Sequence, residues 1–101
     1  MQLKNKFTLE TRELYMWNYE CFWCGKNHWD CIHHIHGRVS TSPYNACPIN
    51  NFECHIGNGK LMTFEGKRKL SLKNKAYLNS VGYEPTKEDK VFLNKYKQYY
   101  A

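Results

Sequence analysis

The sequence predicts a small α+β domain: a short β-hairpin and the helix after it, stapled by a structural metal, with further helices at the N- and C-terminal ends. Three observations predict it. The apolar residues make up 42% of the chain but come in short runs broken by Asn, Gly and Lys, so at 101 residues the buried core is modest and an external staple is expected. Five cysteines and five histidines offer that staple. One alternating run, Trp29 to Ile35, has the period of a strand. The length suits a single domain, residues 1–101, with its core at about 21–64 and a helical C-terminal extension at about 68–101.

Thr8 is placed to cap an amphipathic helix running to Tyr19, in which Leu9, Leu14, Tyr15 and Trp17 are the apolar positions. Cys21-Phe22-Trp23-Cys24-Gly25-Lys26 reads as a tight knuckle, since Gly25 accepts the positive φ that a metal-binding turn often needs. In the strand that follows, Trp29, Cys31, His33 and Ile35 share one face, and Asp30, Ile32 and His34 the other. The stretch from Gly37 to Pro43 is too rich in turn formers to be regular, and a second short strand covers Asn45 to Ile49. Asn50 or Asn51 caps the helix carrying Cys54 and His55, which Gly57 and Gly59 weaken by about 1 kcal/mol each relative to Ala. Leu70 to Leu78 reads as helix, stopped by Gly82. Pro85-Thr86-Lys87-Glu88-Asp89 opens a last helix with a capping box, and Val91, Phe92, the Lys95 stem and Tyr96 form the stripe that packs it down.

No run approaches the roughly 18 apolar residues of a membrane span, so a membrane partner is not expected. Residues Met1 to Lys6 lack the apolar stretch of a secretory signal, which points to a reducing cytoplasm. There a Cys-x-x-Cys pair with further Cys and His is more often a metal site than a disulfide framework. The formal charge is +6, concentrated between Lys60 and Lys75, where Lys60, Lys67, Arg68, Lys69, Lys73 and Lys75 face a single acid, Glu65. A polyanion is the natural partner of such a segment; a solvated helix face is the competing explanation.

The residues with the most chemistry are Cys21-x-x-Cys24, His33-His34-Ile35, Asn45 and Cys54-His55, in that order over 35 residues. This pattern resembles the HNH endonucleases, also called ββα-metal or His-Me finger nucleases, and particularly the small phage-type members with a zinc knuckle. The resemblance covers about Cys21 to Lys60. It implies that His33 and His55 bind the catalytic divalent ion and that His34 is the general base. It implies too that Asn45 holds the loop and orients the His34 ring, although Asn50 or Asn51 could fill that place. The implied activity is hydrolysis of DNA phosphodiester bonds, by nicking or double-strand cleavage, with branched DNA among the substrates. The compartment would be the cytoplasm, that of a host cell if the chain is phage-encoded.

A structural Zn²⁺ is expected on Cys21, Cys24 and Cys54. Zinc-bearing relatives usually place a second Cys-x-x-Cys before the final ligand, but here position 51 is Asn, so Cys47 is chosen as the fourth ligand ahead of Cys31 and His28. Two imidazoles at the catalytic site suit Mn²⁺, Co²⁺, Ni²⁺ or Zn²⁺ better than Mg²⁺, which prefers oxygen. Arg38 and Lys60 are candidates to grip a phosphate oxygen, and Lys67, Arg68 and Lys69 to follow the DNA backbone. Neighbouring strand residues point to opposite faces, so His33 and His34 divide the labour between ligand and base. His36 reads as a bystander, and Tyr96, Tyr99 and Tyr100 as packing residues rather than a base-stacking platform. Two other functions compete: a zinc-stabilised nucleic-acid binder without catalysis, and a zinc-bearing protein-interaction domain. Monomer and homodimer are both compatible with the sequence.

Overall fold

The computed structural model describes residues 6–101; residues 1–5, most of the stretch read above as lacking a secretory signal, lie outside the described residues. Helix α1, Leu9–Glu13, is capped as expected by Thr8, whose hydroxyl accepts from the Thr11 amide at 3.3 Å. It stops well short of Tyr19. The reason is tertiary: the Leu14 carbonyl accepts from the Tyr77 hydroxyl and the Asn18 carbonyl from the Trp29 indole, so the chain runs on in single turns rather than a helical ladder.

The hairpin is β1, Cys31–His34, paired antiparallel with β2, Ala46–Ile49. Its register sets Cys31 opposite Ile49, Ile32 opposite Pro48, His33 opposite Cys47 and His34 opposite Ala46. Cys31, His33, Cys47 and Ile49 therefore share one face of the sheet. Both strands are shorter at their ends than the alternation suggests. Trp29 donates its amide to Tyr19 instead, and Asn45 belongs to a 3₁₀ turn, Pro43–Asn45, although its carbonyl still accepts from Ile35 at 2.8 Å.

After β2 the expected helix carrying Cys54 and His55 is a single π-helical turn, Asn51–His55, capped by the Asn50 side chain accepting from Glu53 at 2.8 Å. Gly57, at φ 73°, ends it, and a 3₁₀ turn, Gly59–Met62, leads into α2, Phe64–Ser80. Helix α2 begins six residues before the predicted Leu70. Thr63 caps it through the Gly66 amide, and Gly66 is required there: a Cβ at this position would lie 1.9 Å from the Lys60 carbonyl oxygen. Gly82, at φ 77°, closes α2 as predicted, with the Tyr83 amide donating to the Leu78 carbonyl. The capping box of Thr86 and Asp89 opens α3, Lys87–Lys95, and a short α4, Lys97–Tyr100, completes the chain.

Helix α2 is the spine. It packs against α4, both 3₁₀ turns and β2. Its buried Asn74 donates to the Pro43 carbonyl at 2.9 Å and accepts from the Tyr15 hydroxyl, joining α2 to the hairpin loop and to the segment after α1. Around this join lie Phe22, Ile35, Tyr44, Ile49, Leu61, Leu70, Leu78, Phe92 and Tyr100. Among the described residues no helix is long and apolar enough to cross a membrane.

Candidate metal centres

The knuckle is closed by backbone first. Cys21 donates to the Asn27 carbonyl at 2.8 Å, Gly25 to the Cys21 carbonyl at 2.8 Å, and Gly25 takes the expected positive φ, 70°. This folds the peptide amides over the sulfurs: Trp23 N lies 3.4 Å from Cys21 Sγ, and Lys26 N and Asn27 N lie 3.5 and 3.4 Å from Cys24 Sγ. Phe22 donates to the Pro48 carbonyl, which fixes the knuckle to β2, and the π-helical turn then delivers Cys54. The three sulfurs lie within 4.8 Å of one another, a group that could hold a metal ion.

The electrostatics of the group suit a bound cation. Burial raises the Cys24 thiol, but the amides of Asn27 and Lys26, with Cys54 and Cys21, outweigh it and bring the group down to about 7. Cys54 is pushed up to about 12, by burial and then by its two thiol neighbours. Three thiols this close cannot all ionise without a compensating positive charge.

Cys47, the expected fourth ligand, is not in this group. The register carries its side chain into the core on the His33 and Ile49 face, where burial holds the thiol far above its ordinary range and it serves as a small apolar residue. The two reserve candidates are also elsewhere. His28 lies edge-on against Tyr19 and flat against Trp29, and Cys31 lies near the Ile49 carbonyl and His55.

The histidine site is built from β1 and the same π-helical turn. The His33 and His55 rings meet with centroids 4.8 Å apart at 64°. They line an open cavity of about 410 Å³ together with Gly57, Asn58, Gly59, Leu61 and Met62. His33 is 8% exposed, and its Nε2 is buried without any hydrogen-bond partner. Its pKa falls to about 4, first through burial and then through His55, so the ring is neutral and offers a lone pair at physiological pH. His55 Nδ1 lies 2.9 Å from Asn51 Oδ1.

His34 occupies the opposite face of the sheet, as the alternation requires, and its ring is stacked on Phe7 with centroids 4.1 Å apart. Asn45 is fully buried. Its Nδ2 donates to the Gly37 and Ser40 carbonyls at 3.0 and 3.1 Å, and its Oδ1 accepts from the His36 amide at 2.9 Å, so it pins the loop that leaves β1 just after His34. The three candidate asparagines thus separate: Asn45 holds the loop, Asn50 caps the turn, and Asn51 contacts His55.

His36 stays outside both centres, as expected of a bystander, but it is a core residue. It is 8% exposed, stacked on Tyr96 at 4.5 Å and near Phe92 and Tyr99, with Nε2 close to the Tyr100 hydroxyl and the Ser71 hydroxyl. The tyrosine tail is packing around it. The basic run is partly structural as well. Lys69 donates to the Trp23 carbonyl at 2.8 Å and lies over the Trp23 ring, Arg68 reaches the Ala101 carbonyl, and Lys75 donates to the Tyr100 carbonyl. Lys67 is the member whose charge is felt by both His33 and His36.

Sequence reasoning passed over Phe7 and assigned Asn51 no contact with His55. The only signal for Asn51 was its place four residues before His55. Comparison with protein-family models, with curated proteins and with solved structures gave no match to this chain.

Proposed function

We propose that the chain is a metal-dependent DNA endonuclease that hydrolyses phosphodiester bonds. His33 and His55 hold the catalytic divalent ion, His34 is the general base, and Cys21, Cys24 and Cys54 hold a structural Zn²⁺. The observation that carries this reading is the contact of the His33 and His55 rings, both residues lining an open cavity, with His33 Nε2 buried and without a hydrogen-bond partner. A buried nitrogen left without a partner costs about 1–3 kcal/mol, a penalty that an ion bound to it would remove. The order of Cys, His and Asn along the chain supports the same assignment.

The donor set fits a borderline transition ion better than Mg²⁺. When bound, such an ion supplies Lewis-acid stabilisation of charge on the phosphoryl group and the departing 3′ oxygen. His34 takes a proton from the attacking water. Phe7 against one face of its ring restricts the ring's freedom, and Asn45 holds the chain that leaves the strand beyond it. Lys67, near His33, and Lys60, in the 3₁₀ turn that ends the cavity wall, add positive potential on the substrate side. The products are a 5′-phosphate and a 3′-hydroxyl.

Nicking of supercoiled plasmid by the zinc-loaded protein tests the reading, with Mn²⁺, Co²⁺, Ni²⁺, Zn²⁺ and Mg²⁺ supplied in turn. Metal-dependent nicking that His34→Ala lowers by about 10²–10⁴-fold is the expected result. Activity with Mg²⁺ alone would overturn the nitrogen-donor assignment. DNA binding with no cutting under any metal would favour a zinc-stabilised nucleic-acid binder instead.

A further inference from the structure

The contact between Asn51 and His55 has no part in capping the turn, since Asn50 does that. Asn51 is itself anchored: its amide donates to Asp30 Oδ1 at 2.7 Å, tying it to the residue before β1. One turn along the π-helical segment its Oδ1 meets His55 Nδ1 at 2.9 Å. The same oxygen faces the Cys31 sulfur at 3.9 Å, and that sulfur lies 3.5 Å from the Ile49 carbonyl. The thiol has one proton, for which the Ile49 carbonyl is the nearer acceptor; the sulfur lies 4.0 Å from His55 Nδ1, and the Asn51 oxygen, at 2.9 Å, is that nitrogen's close partner.

We infer that Asn51 is the positioning residue of the histidine centre: its carboxamide oxygen accepts the Nδ1 proton of His55 and fixes the ring as the tautomer whose lone pair is on Nε2. An imidazole has one lone pair when neutral, so the hydrogen bond at one nitrogen decides which nitrogen can ligate. With Nδ1 committed to Asn51, His55 offers Nε2, the same nitrogen that is unpartnered on His33, whose ring it meets beside the cavity. Asp30 anchors the Asn51 backbone, and the Asn51 side chain in turn fixes the ring. The role in catalysis rests on the nuclease reading; the tautomer assignment rests on the contacts alone.

The test is a long-range ¹H–¹⁵N correlation spectrum of the full, zinc-loaded chain, with the His55 signals identified by their loss in His55→Gln. A protonated Nδ1 and an unprotonated Nε2 are expected. Asn51→Leu should shift the ring toward the Nε2-protonated form and weaken Co²⁺ binding at this centre by 10–100-fold. Asn51→Asp, which keeps the accepting oxygen, should restore both, and it carries the test by itself if the leucine variant does not fold. A wild-type His55 protonated on Nε2, or a tautomer and Co²⁺ affinity indifferent to both variants, overturns the assignment. DNA cutting is measured separately on the same samples. If the tautomer follows Asn51 and nothing is cut, the nuclease reading fails and this inference stands; if DNA is cut by a protein whose His55 carries its proton on Nε2, the reverse holds.

Discussion

Cys54 and His55 are consecutive residues of one short turn, yet they go to two centres built on opposite plans. The sulfur centre gathers three donors from two segments, fixes two of them by backbone amides, and sits against β2 through Phe22. The histidine centre has two donors, one of them buried without a partner, and opens into a cavity. Structural zinc sites usually take four protein ligands, so the three sulfurs would leave one position to a further donor, while two imidazoles would leave most of a coordination sphere to water and substrate. The difference teaches that one π-helical turn, by directing successive side chains to different sides, can serve a sulfur cluster and a histidine pair without sharing a residue between them.

The largest expected effect breaks the sulfur side of this comparison. A structural zinc in a small domain is worth about 10–16 kcal/mol of binding energy that is also folding energy. Losing one of three thiolates should cost about 5 kcal/mol or more, comparable to the whole stability of a domain this size. Cys54→Ser, or a strong chelator added to the wild type, is therefore expected to abolish the cooperative thermal transition followed by near-ultraviolet circular dichroism, with zinc content falling below one ion per chain. A variant that melts normally without zinc would refute the staple.

Much of this architecture was legible because it is local. Thr8, the box of Thr86 and Asp89, the stop at Gly82, the two strands and their faces all follow from spacing within a few residues. The knuckle was legible too, and so was the division of His33 from His34. What failed to show was set by contacts distant in sequence. The carbonyls of Leu14 and Asn18 are taken by Tyr77 and Trp29, which ends α1 early. Gly66 looks like a helix breaker but admits the Lys60 carbonyl, so α2 begins before it. Cys47 was read as a ligand by counting cysteines, and the hairpin register takes it into the core instead. Charge counting likewise did not distinguish Lys69, committed to Trp23, from Lys67, whose charge acts on His33.

Asn45 offers the next effect in size and sharpens the histidine side. Its side chain makes three hydrogen bonds to the loop backbone from a fully buried position. Asn45→Ala leaves two carbonyls and one amide unsatisfied and should cost about 3–4 kcal/mol in urea unfolding. The loop is not part of the sulfur centre, so zinc content should remain at one ion per chain. Loss of zinc in parallel with loop stability would mean that the two centres are one cooperative unit.

Acid should act outside both centres, and by a smaller margin. His36 has its pKa lowered to about 4 by burial, with Lys67 adding to the effect, against about 6.5 for an exposed histidine. The unfolded chain therefore takes up this proton first. The stability that His36 contributes is full above about pH 6.5 and is lost as pH falls toward about 4, amounting to about 2–3 kcal/mol. Zinc thiolates also weaken in acid, so the useful quantity is the difference between wild type and His36→Phe. That difference should shrink or reverse on acidification from pH 7 to pH 4.5, and a difference independent of pH would mean that His36 remains accessible to protons.

The smallest effect on stability is the most discriminating for the comparison. Under the proposed zinc staple each thiol of the sulfur group should be needed for the fold, whereas a buried, unpartnered nitrogen of the histidine pair is a liability to the metal-free protein. His33 Nε2 is buried and unpartnered, so in the absence of an ion at that centre His33→Leu removes a desolvated polar atom while filling nearly the same volume. Its stability without the second metal should be equal to the wild type or higher by about 1 kcal/mol. Co²⁺ should stabilise the wild type in proportion to RT ln(1 + [Co²⁺]/Kd) and leave the leucine variant unchanged. A variant as destabilised as Cys54→Ser would place His33 among the residues that hold the fold, and the contrast between the sulfur group and the histidine pair would fall with it.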